Sequence, residues 1–321
     1  MGKSLSEVIA LVKGLPEGSL DEAYERIKEV KDRADAERRP AAKACPRCGS
    51  PHVSRNGKRR GRQSYICKGC GRSFSDTTGA ATAHSRCGET EWRQVISDTV
   101  QGVPIERTAE DLCLSHHTVF RMRHKILLRL EGEQGRDPVA LDGVCEADET
   151  YVLENEKGRK MPEGHHRGPR RHGAVAAKRG ISKEYVCICT GVAEDGACVS
   201  RAVNRASPKK KDILEVFGGR VGDGTLVLCD GAKSYNALDG LCKVATCKSI
   251  NRVNGFHSFI KERNLRARGF ATIYLNRYNA LFSTAYARGD DAAEEIFALM
   301  AAPDGEFSSV ADVTAKNLLM L

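Results

Sequence analysis

The chain has no apolar run approaching the ~18 residues that a membrane span needs, and it shows no internal repeat. The N-terminal stretch MGKSLSEVIALVKGLPEG has too short an apolar segment and too many charges for a secretory signal. No membrane partner is expected, and the expected location is the cytosol, where thiols stay reduced. A disulfide framework is excluded as well: 13 cysteines is an odd number, in a chain too long for a disulfide scaffold. Metal ligation plus scattered core thiols accounts for them better. Acidic residues are missing from positions 45–75, where aliphatic side chains are also few, so that segment cannot build an apolar core.

What is present is positive charge. The 321 residues carry a net charge of +9 and a sequence pI near 8.9, which favours a polyanionic partner. With 40% hydrophobic residues, the chain has enough apolar content for two or three domains. Residues 4–14 and 19–38 read as two N-terminal helices, with Ser19 as an N-cap and Pro40 as the stop.

The acid-free segment begins with Cys45-x-x-Cys48 and continues to Cys67-x-x-Cys70, with Gly49 and Gly71 after the pairs. This spacing fits a zinc ribbon, in which each Cys-x-x-Cys turn aims two sulfurs at one point. Four thiolates make a closed tetrahedral site, so one structural zinc ion is expected. Binding it would supply the folding free energy that the missing core does not. Arg47, Arg55, Lys58, Arg59, Arg60, Arg62, Lys68 and Arg72 lie in the same segment and suit phosphate contact.

Residues 105–128 read IERTAEDLCLSHHTVFRMRHKILL. Ala109 and Leu112 can pack inward from a first helix. Ser115 can cap a second, with Val119, Met122 and Ile126 on its inner face. His116, His117, Thr118, Arg121 and His124 then project outward, and Arg123 and Lys125 add charge. A recognition helix offers such side chains to the major groove. The turn position that often holds glycine is Cys113. GEQGRD at 132–137 reads as the next boundary.

Three pieces farther on concern acids. In Glu146-Ala147-Asp148-Glu149-Thr150, strand alternation puts Glu146, Asp148 and Thr150 on one face. A carboxylate within a buried strand costs several kcal/mol unless a charge or metal pairs with it. The apolar run Thr225–Cys229 ends abruptly in Asp230-Gly231, and ligands gather at such strand ends. Asn251-x-x-Asn254-x-x-His257-x-x-x-Lys261 places Asn254, His257 and Lys261 in one helical sector, with Asn251 at its edge. Two aspartates and an amide oxygen can hold hard divalent cations, magnesium or manganese, and two such ions can drive phosphoryl transfer.

Taken in order, CPRC…CKGC, RTAEDLCLSHHTVFRMRHKIL, EADETYV, LVLCDG and NRVNGFHSFIKE resemble the bacterial insertion-sequence transposases that couple a zinc ribbon, a helix-turn-helix and a DDE-type nuclease domain. The resemblance spans roughly residues 45–285. It implies a multidomain chain: N-terminal helices over 1–40, a small four-cysteine zinc ribbon over 41–76, an all-α helix-turn-helix over 88–131, an α/β ribonuclease-H-like domain with a mixed sheet flanked by helices over 138–300, and a tail over 301–321. Asp148 and Asp230 would be the catalytic carboxylates. Many members carry Glu at the third position; here it is Asn254, as in the Asp-Asp-Asn-Lys subgroup, with Lys261 fourth. Glu149, His257 and Asn251 would be auxiliary. The implied partner is double-stranded DNA, both the ends of the element and its target, bound by a homodimer or larger and placing the protein at the nucleoid. The alternative is a non-catalytic DNA-binding regulator derived from such an element, which would need no acidic centre.

Overall fold

The computed structural model describes residues 44–302, apart from 60, 61, 84, 159–162, 164, 166–167, 169–174, 178 and 268, together with positions 16, 19, 22 and 25–27. The helix expected over 4–14, most of that over 19–38, nearly all of the 301–321 tail, much of the basic stretch 156–180 and Arg60 lie outside the described residues. The chain divides into two compact units at Gln94/Val95.

The first unit contains a three-stranded antiparallel sheet in the order β1-β2-β3: β1 (Val53–Arg59), β2 (Arg62–Cys67) and β3 (Ser73–Ser75). Its buried cluster is only Cys45, Tyr65, Cys67 and Phe74, with Val53 against it. Gly49 and Gly71 both adopt φ +70°, a left-handed backbone that closes each cysteine turn and suits glycine.

Helix α1 (Glu89–Gln101) runs across the division. Beyond it come α2 (Ile105–Asp111) and α3 (His116–Arg136). Ser115 caps α3 by accepting the Thr118 N–H. Cys113 does adopt φ +51°, so the turn asks for a glycine-like backbone although the residue is cysteine. The boundary expected at 132–137 falls at the far end of that stretch. The 21-residue helix α3 runs through Gly132 and Gly135 to Arg136, with Asp137 as its C-cap, and its last turns are held by packing, with Gln134 donating to the Ala280 carbonyl. Tertiary contacts of this kind outweigh the ~1 kcal/mol that a mid-helix glycine costs.

A five-stranded mixed sheet follows, in the order β6-β5-β4-β7-β8. Strands β4 (Val144–Leu153), β5 (Tyr185–Ala193) and β6 (Cys198–Arg205) are antiparallel; β7 (Leu226–Cys229) and β8 (Lys243–Thr246) run parallel to β4. Helices α4 (Lys210–Phe217), α5 (Asn251–Arg266) and α6 (Leu275–Arg288) pack on it, and α7 (Ala292–Ala301) follows farther along the chain. The apolar run of β5 is buried on both faces. Cys187 and Cys189 join Cys145, Ala147, Phe217 and Tyr235 in one core, and Val186 and Ile188 join Ala202 and Leu275 in another. The sheet alternation thus sends Glu146, Asp148 and Thr150 to the face opposite Cys145 and Ala147. Among the described residues no helix is long and apolar enough to cross a membrane.

Candidate functional site

Asp148 and Asp230, 82 positions apart in sequence, come to one place because β4 and β7 are parallel neighbours. The register pairs Val144 with Leu226, Cys145 with Val227 and Glu146 with Leu228. Carried on by two residues, it sets Asp148 level with Asp230, and adjacent strands lie ~4.8 Å apart. Burial, and then the negative charge of Asp230, push the Asp148 carboxyl above its usual range, while Lys261 pulls it down. Gly231 has φ +92°, and a Cβ there would meet Thr246 Cγ2 at 3.1 Å, so the turn after Asp230 is shaped for glycine. Asp230 Oδ1 accepts the Ala232 N–H at 3.0 Å, a local turn that fixes the side chain.

Helix α5 lies over this face. His257 is buried, with Nδ1 3.8 Å from Asp148 Oδ2 and Nε2 2.6 Å from the Thr190 hydroxyl. Thr190 itself donates to the main-chain carbonyl of Asp148 at 2.8 Å. Burial first, and Lys261 second, lower the His257 ring to about 4, so it is neutral at pH 7. Lys261, one turn on, is exposed and acts electrostatically on both Asp148 and His257. Asn254, one turn before His257, is exposed, as is Asn251 at the first position of the helix. The structure therefore brings Asp148, Asp230, His257 and Lys261 together, with Asn254 on the same helix. Glu149 differs: alternation turns it to the opposite face, where burial raises its carboxyl to about 7 against a lowering contribution from Tyr235.

Two residues important to this geometry were given no role from the sequence. Glu146 reaches across to the start of α5, and its Oε2 accepts the backbone N–H groups of Arg252 at 2.7 Å and Val253 at 3.2 Å. No side chain of the helix's own N-cap residue does this, so a strand carboxylate supplies the cap. Its alternation with Asp148 was the available signal. Thr190, in an apolar strand, gave no signal.

In the first unit, Cys45, Cys48, Cys67 and Cys70 hold their sulfurs within 4.8 Å of one another. The Cys45–Cys70 and Cys48–Cys67 sulfur separations are 3.8 and 3.6 Å. A tetrahedron with Zn–S bonds of ~2.3 Å places its sulfurs about 3.8 Å apart, so this cluster could hold zinc. The Cys70 N–H, donated to Cys67 Sγ, leads the influences that lower the Cys67 thiol to about 6, while its coupled neighbour Cys48 is raised, so one proton is shared unequally across the pair.

On α3, His116 and His117 are exposed, Thr118 and Arg121 are half-buried, and Arg59 on β1 is exposed. Arg62 begins β2. Thr118 is partly committed to the cap, its hydroxyl 2.8 Å from that of Ser115. Two expectations for this helix need correction. Arg123 is 3% exposed and donates to the Val103 carbonyl at 2.8 Å. His124 is 2% exposed, with Phe120 and Tyr274 ring centroids 4.2 and 4.3 Å away. Neither can meet a phosphate. The cause is the length of α3: past its first two turns the helix packs on α6 and has more than one buried side. Lys125 is half-buried, and burial lowers its ammonium.

No family profile matches the chain. It is 26% identical over 196 residues to "Uncharacterized protein in transposable element ISH50" from Halobacterium salinarum. That alignment covers 61% of this chain and 64% of the relative, so the chain spans under two thirds of the curated relative it matches. Two solved structures are also similar. The pre-cleavage Mos1 transpososome aligns at 11% identity with a TM-score of 0.26, and the Mos1 transposase paired-end complex with left transposon end at 12% and 0.26. Each alignment covers 68% of this chain and 80% of the other, and at that TM-score neither likeness carries weight.

Proposed function

We propose that this chain is a DNA transposase of the DDE type, in its Asp-Asp-Asn-Lys form, on a ribonuclease-H-like domain. One observation carries the reading: Asp148 and Asp230 stand level at neighbouring parallel strands, beneath a helix that bears Lys261. The relative encoded in a transposable element supports it.

The donor set is two carboxylates and the Asn254 amide oxygen, which are hard oxygens of the kind magnesium or manganese takes. Burial, and then repulsion from Asp230, raise Asp148, and a divalent cation bound there would relieve both. When bound, two such cations lower the pKa of the attacking hydroxyl and stabilise the leaving oxygen of a phosphodiester. The chain's own residues do the rest. Asp148 and Asp230 fix position, and catalysis of in-line phosphoryl transfer is mostly positioning and electrostatics. Lys261 compensates charge that develops on the phosphoryl oxygens. The cysteine ribbon holds one structural zinc. His116, His117, Arg121 and Arg59 face DNA, with Arg60 and Arg62 as further basic positions. Two element ends must be held at once, which requires a dimer or larger.

The test is a purified full chain with magnesium and a DNA end of the element that carries its gene. Cleavage and strand transfer are expected. Asp148→Ala and Asp230→Ala should lose both while retaining DNA binding. Activity in both variants would refute the catalytic assignment, and a wild type that binds DNA but never cuts would favour the regulator.

A further inference from the structure

His257 on α5 stands beside Asp148, and its hydrogen bonding fixes which nitrogen faces it. The Thr190 hydroxyl has one proton. It stands 2.8 Å from the Asp148 carbonyl, an oxygen that can only accept, so the proton goes there. The same hydroxyl oxygen is 2.6 Å from His257 Nε2, and with its proton spent it must accept from an Nε2–H. Nε2 is thereby committed to Thr190, and Nδ1 is the ring nitrogen that faces Asp148 Oδ2, across 3.8 Å.

A divalent ion ~2.1 Å from each atom spans up to about 4.2 Å between them and fits the 3.8 Å separation with a bent angle.

We propose that His257 Nδ1 is a nitrogen ligand of the cation held by Asp148, and that Thr190 is a positioning residue that selects the ligating tautomer. This deepens the transposase reading and rests on it. Ligating histidines commonly donate their other ring N–H to a fixed acceptor, and losing that partner costs about 10–100-fold in metal affinity. Here the acceptor is a hydroxyl that also ties the main chain of the neighbouring ligand. A neutral amide at Asn254 holds a cation less firmly than a carboxylate would, and the added nitrogen offsets that.

The test uses the untagged full chain, labelled with 15N-histidine and titrated with manganese alone. Pulsed electron paramagnetic resonance reads whether bound manganese couples to a histidine nitrogen. The expected result is manganese binding that depends on Asp148 and Asp230, with histidine coupling. His257→Gln should abolish the coupling and weaken manganese binding about 10-fold or more. Thr190→Val should weaken both, and Thr190→Ser should restore them. Zinc content and circular dichroism report whether each variant is folded, and the labelled wild type decides the matter if one is not. Manganese bound at the aspartates without histidine coupling overturns this inference and leaves the transposase reading intact. Manganese binding indifferent to Asp148 and Asp230 overturns both.

Discussion

The carboxylate of Glu146 caps helix α5 by accepting the backbone N–H of Arg252 at 2.7 Å. Glu146 and Asp148 share a face of β4, so one strand both offers a site carboxylate and anchors the helix that completes the site. Glu146→Ala leaves two helix N–H groups without their acceptor and should destabilise the fold by about 1–2 kcal/mol. Glu146→Gln keeps an acceptor oxygen without the charge and should lose less. Urea midpoints rank the three proteins. If the cap also aligns α5 on Asp148, strand cleavage by the alanine variant falls more than its folded fraction does.

Gly231 gives a second expectation. Its φ of +92° disfavours any side chain, and a new Cβ would press on Thr246 at 3.1 Å. Gly231→Ala should therefore shift the turn that orients Asp230, weakening manganese affinity and activity together at a stability cost of about 1–2 kcal/mol. Unchanged manganese affinity would show that the turn does not aim the carboxylate.

The parts legible in the sequence are those set by local spacing. The cysteine pairs, the Ser115 cap, the alternation around Asp148 and the abrupt end of β7 each follow from a short-range rule. The convergence of Asp148 and Asp230 followed from their chemistry and the resemblance, not from any spacing rule, because parallel pairing of distant strands leaves no local trace. The errors have the same origin. GEQGRD looked like a break, since two glycines so close together weaken a helix, yet packing against α6 carries α3 through them. His124 looked outward-facing because a two-helix unit has one apolar side, whereas α3 meets Tyr274 and Arg277 on another. Thr190 was invisible: its use depends on His257, 67 residues away.

The buried His124 makes stability depend on pH. Burial, then Arg277 and Arg123, lower its ring to about 3, from 6.5 in an open chain. Between those values the unfolded chain binds a proton that the folded chain refuses. The stabilising contribution is complete above about pH 6.5 and is lost as pH falls towards 3, by at most about 1.4 kcal/mol per pH unit. His124→Gln removes the titrating group while keeping a polar partner for Arg277. Its urea midpoint should fall less steeply between about pH 7 and 5 than the wild type's, whatever its value at neutral pH. Parallel slopes would mean that His124 is protonated in the folded protein.

The ribbon should depend on its metal. Its buried cluster of four includes Cys45 and Cys67 themselves, which leaves Tyr65 and Phe74 as the only other buried members. Two rings contribute about 3–6 kcal/mol on burial, well short of the ~1–2 kcal/mol per residue lost in ordering three strands and their turns. Zinc binding in comparable cysteine and histidine peptides supplies about 10–16 kcal/mol. One zinc per chain is therefore expected on elemental analysis. Cys48→Ser should remove it, and amide hydrogens over 45–75 should then exchange at the rates of an open chain. Retained protection without zinc would mean that the strands hold by other contacts, and the metal would lose its structural role.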